Sequence, residues 1–170
     1  MILGMPLSTY TLIHVVLSLA GIFSGAIVVW GMLNAKLLDG WVAFYFGTTV
    51  LTSMTGFYFP SPIFGPSHAI GIISLAVLAV AILALYAYRL AGAWRQAYVM
   101  GVVLAYYLNV FVGVAQLFRK AAFLRSLAPT QTEWPFIVAQ LVVMVIFMAI
   151  GTIAVRTFHP DIKLNGPDID

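Results

Sequence analysis

The stretch LIHVVLSLAGIFSGAIVVWGML, residues 12–33, decides the fold. Its one ionisable group is His14, and every other side chain is aliphatic, aromatic or small. A helix rises 1.5 Å per residue, and hydrocarbon about 30 Å thick needs about 20 such residues. Leu12–Leu33 is therefore long enough to cross a bilayer. Runs of the same kind follow at Trp41–Phe59, Ser67–Tyr88, Ala97–Phe118 and Trp134–Val155. The expected fold is all-α: a polytopic transmembrane bundle of five helices over residues 1–158, with a polar C-terminal tail at 159–170.

Composition agrees. Hydrophobic residues make up 63% of the 170-residue chain and charged residues 8%. A soluble domain carries about 25% charged residues, so this chain lacks the charge to cover a water-facing surface. The net charge of +3 is no nucleic-acid signal, because the basic residues sit at the ends of the runs. There they set orientation and meet lipid headgroups. The absence of cysteine excludes disulfides, thiolate metal sites and cysteine nucleophiles.

The first run reads as a retained helix rather than a secretory leader. Met1–Thr11 has no charged side chain, and the apolar run exceeds a leader's core. With five spans, one side holds Arg119, Lys120 and Arg125, and the other holds Lys36, Arg89, Arg95, Arg156 and Lys163. The positive-inside rule then places the N-terminus out and the C-terminus in the cytoplasm. Trp41, Trp94, Trp134 and Arg89 are expected interface anchors.

The connections are short, so consecutive helices should pack as antiparallel neighbours. Pro60–Pro66 reads as a rigid turn. An internal repeat is legible. Lys36-Leu37-Leu38-Asp39-Gly40-Trp41 parallels Arg89-Leu90-Ala91-Gly92-Ala93-Trp94, and Tyr45 and Tyr98 lie four residues past each Trp. His14 and His68 open the corresponding spans; the offset is 53 residues through the turn and 54 at the histidines. Two tandem two-helix units plus a fifth helix is one reading, and two similar apolar hairpins drawing on a small alphabet is the other.

Polar residues inside the spans mark the candidate site. Gly21 and Gly25, with Ser18, read as a close-packing face, as do Ser67, Gly71 and Ser74 in the third span. In the second span Thr48, Thr52 and Thr55 share one face, and Thr49, Ser53 and Gly56 the adjoining one. Hydroxyls that bond their own i−4 carbonyls bury cheaply, so this helix is either central or a cavity wall. Tyr106, Asn109, Gly113, Gln116 and Lys120 form one stripe of the fourth span. A carboxamide in hydrocarbon needs a partner, so Asn109, Gln116 and Gln140 should face other helices. By depth, His14, Thr52, Thr55, His68, Gln116 and Gln140 converge in the outer half, with Tyr106 and Asn109 below them.

Three functions fit. One is a pocket built from these eight residues for a small apolar or weakly polar ligand, quinone- or lipid-like. Another is an accessory subunit of a membrane complex, with the polar residues as packing contacts. The alternative is electron transfer through a b-type haem with His14 and His68 as axial ligands; the other readings need no cofactor. Catalysis is the weakest fit, because Asp39, Glu133, Asp161, Asp168 and Asp170 all lie outside the spans. No Gly-x-Ser-x-Gly or His-Glu-x-x-His occurs. His159 with Asp161 reads as a solvated pair in the tail rather than a metal site. The expected partners are the bilayer, a small apolar ligand, and another membrane protein or a second copy of the chain.

Tyr107-Leu108-Asn109-Val110-Phe111 with Gln116, and Leu127-Ala128-Pro129-Thr130-Gln131-Thr132-Glu133 leading to Pro135-Phe136 and Gln140, resemble a group of small, uncharacterised bacterial inner-membrane proteins. The resemblance covers the chain from Gly92 onward and implies no activity. It implies a bacterial inner-membrane location, which the short loops and the lack of an Asn-x-Ser/Thr acceptor suit.

Overall fold

A computed structural model describes residues 2, 4–59 and 65–160, apart from the side chains of 66 and 67. Most of the Pro60–Pro66 turn and of the polar tail lies outside the described residues, as does the side chain of Ser67. The fold is helical: α1 (Leu7–Leu33), α2 (Asp39–Gly56), α3 (Pro66–Ile82), α4 (Ala93–Lys120), α5 (Ala122–Leu127) and α6 (Trp134–Thr157). The end of α3 widens into a π-helical turn, Leu83–Ala87.

Four helical segments, Leu7–Leu33, His68–Ala87, Ala93–Lys120 and Trp134–Thr157, are long and apolar enough to cross a membrane. α2 falls short of them because hydroxyls and glycine dilute its apolar content. Its 18 residues still extend about 27 Å. The outer surface of the bundle is apolar: Leu12, Leu19 and Phe23 of α1 and Val145 and Met148 of α6 are each 60% exposed or more. Apolar surface this continuous suits contact with hydrocarbon or a partner rather than water.

The helices pack as a ring, with α1 against α2, α2 against α3, α3 against α4, and α4 back against α1. α6 lies outside the ring and touches both α4 and α1. Neighbours in the ring are antiparallel. The end of α2 returns to the start of α1, where Tyr10 Oη donates to the Thr55 carbonyl at 2.8 Å. Thr48 and Thr55 donate to the carbonyls of Phe44 and Leu51, one turn back, so these two hydroxyl protons are satisfied within α2 itself.

Two glycines set how closely α1 and α4 approach. A Cβ on Gly25 would stand 2.5 Å from Tyr106 Cδ2, so the tyrosine ring lies directly on the glycine backbone. A Cβ on Gly21 would meet Asn109 Nδ2 at 3.1 Å and Thr49 Oγ1 at 3.3 Å. Gly113 faces Ile22 in the same seam. On the other side of α4, Gly101 sits against Ala81 and the Val77 carbonyl of α3. Small residues here serve the purpose they usually serve between apolar helices, which is backbone approach.

The opposite end of the bundle is closed by aromatic rings and an arginine. Tyr45, Tyr98 and Phe158 are fully buried. Phe46 sits between the two tyrosines, with ring centroids 5.8 Å from Tyr45 and 6.4 Å from Tyr98. Phe158 packs on Tyr98 at 5.6 Å. Arg95, in the first turn of α4, donates to the carbonyls of Phe158 at 2.7 Å and Val155 at 3.3 Å. A cation on the last carbonyls of α6 meets the negative end of that helix. The two hairpin turns share a feature: Ala35 and Arg89, each just past its helix, are both left-handed, with φ of 54° and 46°.

Gly25→Ala should destabilise the bundle by about 1–3 kcal/mol, because Tyr106 must leave its seat. Gly47→Ala, which meets open space, should be neutral or slightly stabilising. Thermal unfolding of both variants in mild detergent checks the contrast.

Candidate functional site

The residues expected to converge are placed at separate contacts. His14 Nδ1 lies 2.8 Å from Thr55 Oγ1, and its ring meets Phe59 edge-on at 5.0 Å. The His68 ring lies 5.9 Å from Phe57, and its Nδ1 accepts from the Gly65 N–H at 3.3 Å. Both imidazoles thus stand near the end of α2, each with its own neighbours. Thr52 is buried, and its hydroxyl has no hydrogen-bond partner among the described residues.

Deeper in the bundle, Asn109 Nδ2 donates to Thr49 Oγ1 at 3.4 Å, and Tyr106 covers Gly25. Gln140 is buried and donates to the Phe111 carbonyl at 3.1 Å, tying α6 to α4. Gln116 is exposed, unlike the other two amides. It lies one turn from the end of α4, where a carboxamide can reach water and needs no helix partner. None of the eight residues lines either cavity described next.

The larger cavity is an open groove of about 620 Å³ between α4 and α6. Its floor is Val103, Phe147 and Gly151, all buried. Its walls are Met100, Leu104 and Tyr107 on α4 and Met144, Met148 and Thr152 on α6. The glycine lets α6 approach, since a Cβ there would meet Val103 Cγ1 at 3.5 Å. Phe147 is held by two tyrosines, with centroids 5.0 Å from Tyr106 and 5.7 Å from Tyr107. Arg156 lies at the mouth, exposed, with no ion pair or hydrogen bond among the described residues. Methionines adapt to irregular apolar shapes, and a lone cation beside them favours an anionic head.

Sequence reading did not single out this groove. A signal was there: Met100, Val103, Leu104 and Tyr107 step by 3, 1 and 3, and Met144, Phe147, Met148 and Gly151 step the same way. Each set lies on one helical face.

The second cavity, about 380 Å³, lies where α4, α5 and the next loop meet. Arg119, Arg125, Pro129, Thr130 and Gln131 line it. The loop is organised by one carboxylate. Glu133 accepts from Thr130 Oγ1 at 2.8 Å and from the N–H groups of Thr130 and Thr132, each at 3.1 Å. Gln131, left-handed with φ 61°, anchors the loop by donating from Nε2 to the Ala115 carbonyl at 2.6 Å. Desolvation pulls the Glu133 pKa up, but the hydrogen bonds from Thr130 and Thr132 outweigh it and hold it below the usual glutamate value.

Comparison with protein-family models, curated proteins and solved structures gives no match.

Because the Glu133 pKa is depressed, its contribution to loop order is present above the ordinary glutamate range. It is lost as pH falls through the depressed pKa. Protection of the Thr130 and Thr132 amides, measured against the intrinsic exchange rate at each pH, should therefore fall on acidification, and Glu133→Gln should show the lower protection already at neutral pH.

Proposed function

We propose that this chain is a multi-pass protein of a bacterial inner membrane that binds a lipid-like amphiphile in the groove between α4 and α6. The observation that carries the reading is the groove itself: adaptable apolar walls of about 620 Å³ ending at an unpaired arginine. An acyl or isoprenoid chain would lie along Met100, Leu104, Met144 and Met148, and an anionic head would meet Arg156. Open grooves on the apolar surface of a helical bundle admit ligand directly from the hydrocarbon, with no gate. The role is binding, either to present the amphiphile to a partner or to be regulated by it, rather than catalysis.

In this reading α2 is also a span, giving five, with the N-terminus out and the C-terminus cytoplasmic. Two observations support that. α2 returns the chain to the end where α1 begins, and it bonds its own hydroxyls. The five basic residues assigned to the cytoplasmic side, Lys36, Arg89, Arg95, Arg156 and Lys163, favour this orientation. It puts Arg156 at the inner headgroup level.

Lipid analysis of the purified protein tests the reading. Thr152→Phe, an exposed wall position, should fill the groove and lower the lipid retained per chain while the bundle stays folded. Arg156→Gln should weaken retention of anionic lipid by about 1.5–3 kcal/mol, the range for a hydrogen bond to a charged group. Unchanged lipid content in both variants would remove the groove as the site.

A further inference from the structure

We propose that the junction of α4, α5 and the loop after them binds a phosphate group, carried by a lipid headgroup or free in solution. This site is at the opposite end of α4 from Arg156 and does not depend on the groove. Arg119 from the last turn of α4 and Arg125 from α5 line one cavity of about 380 Å³. Neither makes an ion pair or a hydrogen bond among the described residues. Two like charges on one small cavity repel, and an anion between them removes the repulsion. Guanidinium is the cation whose planar fork matches phosphate oxygens.

The nearest carboxylate in sequence, Glu133, is committed elsewhere. It takes three donors from Thr130 and Thr132 and pairs with neither arginine. Those bonds, with the Gln131 amide on the Ala115 carbonyl, fix the loop that lines the cavity together with the arginines before any ligand arrives. A preformed wall lowers the ordering cost of binding. A cation near the C-terminus of α4 is favoured by the helix dipole alone, which accounts for Arg119 being basic. It does not account for Arg125, on a separate helix, lining the same cavity.

The test uses the full chain in a non-ionic detergent at constant ionic strength, with chloride as the reference anion. Inorganic phosphate and dihexanoyl phosphatidylglycerol are titrated separately while thermal unfolding is followed. At least one probe should raise Tm saturably, as a ligand that binds only the folded state does. R119Q/R125Q should lose the shift, whereas R89Q should keep it; the phosphatidylglycerol titrations are made in the R156Q background, so that binding in the groove does not contribute. R125K, which keeps the charge without the fork, should weaken apparent affinity about tenfold. A shift with both probes identifies phosphate itself, and a shift with the phospholipid alone identifies a headgroup. No saturable shift with either probe, or a shift retained in R119Q/R125Q, overturns the proposal. If R119Q/R125Q does not fold, R125Q alone in the same titration decides in the same way.

Discussion

The seam between α1 and α4 is the contact on which the rest of the bundle depends. Apolar helices gain little from hiding from one another in an apolar medium, so close approach and polar pairing must hold them. Gly25 and Gly21 supply the approach, and Tyr106 and Asn109 occupy the space the missing side chains leave. Asn109 also reaches Thr49, so one amide joins α1, α2 and α4 at a single level. With α4 seated there, its remaining faces are free to take α3 through Gly101 and α6 through Gln140. Both cavities border α4 for this reason.

α6 is held differently. It lies outside the ring, and its lasting contacts are at defined points: the Gln140 amide, the Phe147 ring under two tyrosines, and the carbonyls that Arg95 clasps. Between Phe147 and the Arg95 clasp, Gly151 and Thr152 have too little bulk to fill the space against Leu104 and Met100. The groove is what remains when a helix is pinned at intervals rather than along its whole length. Arg95 and Arg156 come to the same end of the bundle, but Arg95 is consumed by backbone carbonyls and Arg156 makes no hydrogen bond or ion pair among the described residues.

Much of this was legible in the residues. Long apolar runs announced the helices, and Gly21 and Gly25 announced close packing, because both signals are local. Asn109 and Gln140 were expected to face other helices, and they do, since an amide in hydrocarbon has few alternatives. Gln116 was grouped with them because all three were read as carboxamides in hydrocarbon, but near a helix end water is within reach and the constraint lapses. α5 was hidden in an expected loop because one turn and a half of helix has too short a period to read. The groove was hidden for a deeper reason. Residues facing lipid and residues lining an apolar cavity have the same composition, and only the packing of α6 separates them. The convergence of Arg119 and Arg125 likewise depends on the break at Ala121, whose extended ψ of 119° turns α5 away from α4.

Photolabelling most directly tests the claim that the groove is a binding site. The full chain in native-like membranes is exposed to a phospholipid bearing a diazirine in its acyl chain, and labelled positions are mapped by peptide mass spectrometry. Labelling concentrated on Met100–Tyr107 and Met144–Thr152, and competed by unlabelled anionic lipid, is the predicted result. Equal labelling of the outer face of α1, at Leu12, Leu19 and Phe23, with no competition, would show ordinary lipid contact and contradict the account.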